Sequence, residues 1–283
     1  MAQFTNQAFL SYGNVVAPSN IAVGEILDAL SVTKTAISES YSINDKVTYI
    51  ISIINSSTSP YVGLTINDNL GAYTLDGQTL VPLTYAENSV LYYVNGALQP
   101  TPTVSSVGNL VISGINVPAG GNAIIAYEAS VNQFAPLDST GTIENTATIS
   151  GGGIVPIEVS EVISASSETR VSITKSISPN PVLANGTVIY TFVIENSGST
   201  PLVATDDAVV TDTFDPILSN LTVSFNGVTL VEGTDYTYNE ATGEFATTPG
   251  RVIVDGATYS RDPNTGAIIT TPGVATLVVT GSI

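Results

Sequence analysis

Six residues carry the chemistry this chain can be expected to do: Lys34, Asp68 and Asn145, and, one repeat away, Lys175, Asp212 and Asn6. The sequence has no histidine and no cysteine. That excludes an ordinary zinc site, a thiol nucleophile, a serine–histidine–aspartate triad and any disulfide. What remains is an amine, an acid and a carboxamide. A lysine on the first strand of a β-sandwich, an aspartate mid-unit and an asparagine on the last strand can meet in the core if those two strands are neighbours. The reaction open to them is an amide bond between lysine Nζ and asparagine Cγ, with ammonia released. Burial would lower the lysine pKa, because only the neutral amine attacks. The same burial would raise that of the acid, whose protonated form polarises the carboxamide and shuttles protons. Proximity supplies much of the barrier reduction. The event happens once per site, so the chain is not an enzyme in the turnover sense, and it needs no cofactor or metal. Each residue also has a structural reading: strand lysines solubilise and block edges, aspartates form turns, and Asn6 and Asn145 suit strand edges. Lys46, in a turn after Asn44-Asp45, is given no role.

The elements that must position these groups read as strands. Apolar and β-branched residues alternate over short stretches, most clearly in Val47–Ile53 and Val188–Ile194. Asn95-Gly96 and Asn226-Gly227, each flanked by such residues, are signals for type I′ hairpin turns. Gly, Asn, Asp, Pro and Ser interrupt the chain often, which predicts an all-β protein of immunoglobulin-like sandwiches. Asn20–Leu30 has a helix-compatible pattern. It is read as extended linker, because its equivalent one repeat later is rich in Ser, Val and Ile.

The chain repeats. Val32-Thr33-Lys34-Thr35 matches Ile173-Thr174-Lys175-Ser176, an offset of 141 (175 − 34). Tyr49 matches Tyr190, Asn55 matches Asn196, and Ile66-Asn67-Asp68-Asn69-Leu70 matches Val210-Thr211-Asp212-Thr213-Phe214. The first unit then carries one more strand, Glu144–Ser150, with no counterpart late in the second. A counterpart stands at the front of the chain: Thr5, Asn6, Gln7, Ala8, Phe9, Leu10 and Ser11, with Asn6 and Asn145 139 residues apart (145 − 6). The expected organisation is a donor strand over 1–12, a linker over 13–30, a first domain over 31–150, a linker over 151–169, and a second domain over 170–283 lacking its last strand. A sandwich short of a strand exposes an apolar groove and unpaired backbone groups, and it accepts an extended segment by strand addition. Supplied by a neighbouring subunit, that segment makes a head-to-tail contact that does not close, which generates a filament.

Composition narrows the partners. The net charge is −18, with only six Lys plus Arg among 283 residues. No basic footprint for nucleic acid or an anionic membrane surface can be assembled from so few cations. No run of eighteen apolar residues marks a membrane span. The opening Met-Ala-Gln-Phe-Thr-Asn lacks the basic and apolar regions of a signal peptide. The expected partner is therefore another copy of the chain, and nothing in the sequence points to an anchoring or tip protein. Asp206-Asp207 and Asp262–Gly266 could hold calcium, but such residues build turns anyway.

The recurring segments Val-Thr-Lys-Thr, Asp-Lys-Val-Thr-Tyr-Ile-Ile-Ser-Ile-Ile-Asn, Ile-Asn-Asp-Asn-Leu and Glu-Asn-Thr-Ala-Thr-Ile, with Ile-Thr-Lys-Ser and Val-Thr-Asp-Thr-Phe in the second unit, resemble the DUF11 surface-repeat family of bacterial cell-envelope proteins. The resemblance implies immunoglobulin-like sandwiches and an internal Lys–Asn isopeptide bond promoted by an acidic residue. Carried onto this chain, Lys34 would bond Asn145 with Asp68 assisting. Lys175, with Asp212, would bond Asn6 of the next subunit. The expected protein is a structural subunit of an extracellular filament at a bacterial cell or spore surface. The alternative is an adhesin or stalk module that does not polymerise.

Overall fold

The computed structural model describes residues 2–26 and 29–283; Met1 and two residues of the expected 13–30 linker, Leu27 and Asp28, lie outside them. The chain is all-β and forms two tandem immunoglobulin-like sandwiches preceded by an N-terminal ribbon. The ribbon comprises β1 (Ala2–Asn6), β2 (Phe9–Tyr12), β3 (Val15–Pro18) and β4 (Ala22–Ile26), folded back so that β2 pairs with β3 and β1 with β4. The main strands of unit one are β5 (Leu30–Ala36), β6 (Lys46–Asn55), β7 (Tyr61–Asp68), β8 (Leu110–Val117), β9 (Asn122–Val131), β10 (Thr142–Gly151) and β11 (Ile157–Ala165). Those of unit two are β12 (Val171–Ser178), β13 (Thr187–Asn196), β14 (Thr211–Thr213), β15 (Ser219–Phe225), β16 (Tyr236–Asn239), β17 (Glu244–Thr247), β18 (Thr258–Arg261), β19 (Ile268–Thr271) and β20 (Gly273–Ser282).

In unit one, β9, β6 and β5 form one sheet in that order, and β8, β7, β10 and β11 form the other. Alternation fills the space between them. Val47, Tyr49, Ile51 and Ile53 of β6 point inward and are almost fully buried. Unit two repeats the first sheet as β12, β13, β20 and β15. Among the described residues its second sheet is β14, β17 and β16. The expected type I′ turns are present, with φ of 47° and 79° at Asn95-Gly96 and 48° and 78° at Asn226-Gly227. The matched asparagines close matched loops. Asn55 Oδ1 accepts from Ser57 N and its amide donates to Ser59 O; Asn196 does the same with Gly198 N and Thr200 O.

The units touch through the β18–β19 hairpin. Tyr259 and Ile268 pack against the first core, and Ile268 N donates to Gln133 O at 2.7 Å. Asp262 turns this hairpin, its Oδ1 accepting from Asn264 N and Thr265 N, both at 2.9 Å. The ribbon joins unit one at the opposite end. Leu30 is opposite Asn55, at the far end of β6 from Lys46, which is opposite Ser130, three residues from Gln133. A strand of this length spans roughly 30 Å.

Three expectations need correction. Residues 151–169 are not a linker: β11 pairs with β10 over eight positions and buries Ile163 and Ala165. Residues 13–30 are not plain linker either, since 15–18 and 22–26 are the returning arm of the ribbon. Both errors have one cause: Val-Val-Ala-Pro, Ala-Val-Gly-Glu-Ile and Ile157–Ala165 alternate too weakly to stand out from extended linker. Finally, the first and last strands of unit one are not neighbours. β5 pairs with β6 in one sheet and β10 with β7 and β11 in the other, so Lys34 and Asn145 meet across the sandwich and not along a sheet.

Candidate functional site

The centre of unit one is built by three facing strands and by Tyr127 of a fourth, β9, a residue that sequence reasoning overlooked. Lys34 is the one fully buried position of β5. Its Nζ donates to Asp68 Oδ2 at 2.6 Å, with both side chains at 0% exposure. Asp68 ends β7, where its Oδ1 accepts from Leu70 N at 2.9 Å, the turn-forming role its position suggests. Its Oδ2 also accepts from the Tyr127 hydroxyl at 2.6 Å. Asn145 sits on β10, two residues from Ala147, which is directly opposite Asp68 in the sheet. The Asn145 amide Nδ2 donates to the same Tyr127 hydroxyl at 3.0 Å, and its Oδ1 accepts from Gly71 N at 3.2 Å. Lys34, Asp68, Tyr127 and Asn145 are thus one connected buried network. The phenol bridges the acid to the carboxamide nitrogen that an amide-forming reaction would expel.

The electrostatics move the Lys34 amine toward its neutral form. Burial pulls the Lys34 amine down to about 8, although Asp68 works against the shift. The Tyr127 phenol is held well above its ordinary value by burial and by the Asp68 charge, so it stays a neutral donor. Tyr49 stacks on Tyr127 at 5.5 Å between ring centroids, and Lys34 Nζ stands 5.1 Å from the Tyr49 ring. The Tyr49 hydroxyl lies against Asn145 without ordinary hydrogen-bond geometry. Tyr127 was legible in principle. It stands in phase with Ala123, Ile125 and Ala129 on the inward face of β9, where it alone ends in a polar atom.

Unit two holds the same amine and acid in an open setting. Lys175 Nζ pairs with Asp212 Oδ2, but the lysine side chain is 39% exposed. Three rings surround the amine: Tyr190 at 4.5 Å, Phe214 at 5.3 Å and Phe192 at 5.4 Å. β20 places Val279 opposite Tyr190, where β9 places Tyr127 opposite Tyr49, so among the described residues no phenol bridges this site. β7 is paired by β8 on one side and β10 on the other, whereas β14 is paired only by β17 among the described residues. All eight positions of β12 are exposed.

The asparagine expected here, Asn6, is on the ribbon, opposite Ala22 and exposed. Thr5, Gln7, Ala8, Phe9, Leu10 and Ser11 are exposed with it. Among the described residues no hydrogen bond joins the ribbon to either sandwich. The structure therefore assembles the first triad and leaves the second as a lysine–aspartate pair with its asparagine elsewhere. Among the described residues no helix is long and apolar enough to cross a membrane.

No family model and no curated protein matches this chain. Among solved structures, the chain is similar to the major pilin subunit of Bacillus cereus at 12% identity and a TM-score of 0.36, over 96% of this chain and 73% of that one. It is similar to the pilus backbone of Streptococcus pneumoniae at 13% identity and 0.35, over 86% of this chain but only 55%, about half, of that one. It is similar to the collagen-binding subdomain of the Enterococcus faecalis surface protein ACE at 9% and 0.33, over 50% of this chain and 99% of that one.

Proposed function

We propose that this protein is a structural subunit of a bacterial surface filament. Subunits join head to tail when the β1–β2 strand of one copy adds to the free side of β14 in the next, and Lys–Asn amide bonds then make the polymer covalent. One observation carries the reading: the inward positions of β10 are Ile143, Asn145, Ala147 and Ile149, and the matching positions of the ribbon are Phe4, Asn6, Ala8 and Leu10. The buried series apolar–Asn–Ala–apolar recurs, but in the ribbon it faces solvent, with Phe4 at 55% and Leu10 at 66% exposure. A ribbon so composed needs a cover. Donation within one chain would require it to run back past the whole of unit one, since ribbon and unit two leave that unit at opposite ends. Donation to a second copy needs no such path.

In unit one the chemistry balances without a co-reactant. The Lys34 ammonium passes a proton to Asp68. The neutral Nζ adds to Asn145 Cγ and gives up a second proton to Nδ2 as it becomes the amide nitrogen; the Cγ–Nδ2 bond breaks, and Nδ2 leaves with its own two hydrogens and that one as ammonia, which takes the proton held by Asp68 and departs as ammonium. In unit two the same step would join Lys175 to Asn6 of the incoming copy. Such a link constrains the unfolded chain as a disulfide does, a stabilisation of roughly 2–4 kcal/mol per link in that case, in a protein with no cysteine.

The test is electrophoresis of assembled protein after boiling in detergent, with intact mass of the folded monomer. A ladder that Asn6→Ala collapses to monomer, and a monomer lighter by one ammonia unless Lys34→Ala is present, is the expected result. Full dissociation on boiling refutes the intersubunit bond. A protein that binds a surface ligand as a monomer and forms no filaments at high concentration refutes polymerisation and favours the adhesin alternative.

A further inference from the structure

We infer that the element seated in unit two is not one strand but the whole ribbon, both arms, of a second copy of this chain, placed as β10 and β11 are placed in unit one. The inference rests on the polymerisation reading above and specifies its interface.

Unit two has an open side two strands wide. In unit one, β11 packs beside β5, and β5 alternates between covered and exposed positions, with Leu30, Val32 and Ala36 half-buried and Lys34 sealed. The counterpart of β5 is β12, which has no such cover. Val171, Ile173 and Ile177 are 47%, 52% and 40% exposed there, alongside Lys175. A single strand added to β14 would replace β10 and leave β12 bare. Only a second strand in the place of β11 covers it.

The ribbon has the shape required. β10 and β11 are joined through a glycine turn, with Ile149 opposite Ile157, Asn145 opposite Glu161 and Ile143 opposite Ile163. The ribbon turns at Gly13-Asn14 and sets Leu10 opposite Ala17, Asn6 opposite Ala22 and Phe4 opposite Gly24. Residues directly opposite share a face, so the face bearing the apolar–Asn–Ala–apolar series continues across the second arm as Ala17, Ala22 and Gly24. These side chains are smaller than those of β11, and unit two is correspondingly larger within: Phe192 and Phe214 stand at the repeat positions of Ile51 and Leu70. A two-stranded ribbon standing alone is marginal in water, and Phe9, Tyr12, Val16 and Val23 are each at least 60% exposed. Docking on unit two gives both arms a sheet to join.

The register follows from unit one. Ala147 is opposite Asp68 and Thr148 opposite Asn67, so Ala8 comes opposite Asp212 and Phe9 opposite Thr211. Glu161, whose charge acts on Lys34, is replaced by Ala22, so the docked ribbon buries Lys175 without adding a carboxylate.

The experiment uses full-length protein and compares assembly of Ala8→Arg, Ala17→Arg and Ala22→Arg with wild type by light scattering and negative-stain microscopy. Because the chain has no cysteine, a Phe9→Cys/Thr211→Cys double variant is oxidised in parallel, with Leu10→Cys/Thr211→Cys as the slipped control. Expected are at least a tenfold loss of assembly in all three arginine variants and a disulfide ladder from the in-register pair only. Normal assembly of Ala17→Arg and Ala22→Arg beside a defective Ala8→Arg overturns two-arm docking and leaves single-strand donation standing. A ladder from the slipped pair alone overturns the register. Normal assembly of Ala8→Arg overturns the polymerisation reading itself, and this inference with it.

Discussion

Lys34 and Lys175 sit in nearly the same local sequence, Val-Thr-Lys-Thr and Ile-Thr-Lys-Ser, on equivalent strands of two sandwiches, β5 and β12, each bound to an aspartate from the facing sheet. Lys34 is sealed and its pKa is pulled down; Lys175 is 39% exposed. The residues are alike and the cover is not. β10 and β11 close one site and, among the described residues, nothing closes the other. The comparison teaches that the reactive state of such a lysine belongs to the strands that exclude water, more than to the residues that touch it. On this reading the two units are one reaction centre at two stages, and burial by an incoming copy is what carries the second into the state of the first.

The sharpest way to break the comparison is to remove each acid in turn. Asp68→Ala leaves a buried amine without a partner and should cost unit one about 3–5 kcal/mol, seen in denaturant unfolding, and abolish ammonia loss from the monomer. Asp212→Ala should cost the monomer about 1 kcal/mol or less, because that pair is partly solvated, while still eliminating the boiled ladder. Equal destabilisation by the two variants would contradict the difference in cover.

The next effect concerns the bridging phenol. Tyr127→Phe keeps the ring and removes the hydroxyl that joins Asp68 to the departing nitrogen. Proton-transfer groups typically contribute about 10²–10⁴ in rate, so ammonia loss from freshly synthesised protein, followed by mass spectrometry, should slow by about a hundredfold, while the unpaired Asn145 amide costs about 1–3 kcal/mol of stability. An unchanged rate would make the tyrosine structural only. Since Val279 occupies the equivalent place in unit two, the intersubunit bond should form more slowly than the internal one in the same sample.

Lysine accessibility gives a smaller effect. With an amine-acylating reagent at neutral pH, Lys175 should label about tenfold faster than Lys34 in an unassembled Asn145→Ala variant, and it should become protected on assembly. Peptide mapping reads both sites. Labelling of Lys175 that persists in filaments would mean that docking does not bury it.

The smallest effect is on pH. Half of Lys34 is neutral near pH 8, so the rate of the internal reaction should rise up to about that pH and level off above it. In Asn145→Ala, which cannot react, the lowered pKa means the folded state binds the proton less tightly than the unfolded chain. Its stability should therefore rise as pH increases from about 8 toward the ordinary lysine value of 10.5. A rate that falls across pH 7–8 would contradict the neutral amine as nucleophile.

Much of this architecture was written in local patterns. Period-two alternation in Val47–Ile53, the Asn-Gly turns and the offset between Lys34 and Lys175 define the strands, the hairpins and the repeat, because each depends only on neighbours along the chain. The lysines, the aspartates and Asn145 were legible as a recurring set for the same reason. What depends on cover was not legible. Which sheet each strand joins, that Lys34 faces Asn145 across the core, that Tyr127 stands between acid and amide, and that residues 15–18, 22–26 and 157–165 are strands and not linkers all follow from which faces pack together. Packing is a property of surfaces brought close in space, and a sequence states only what each surface is made of.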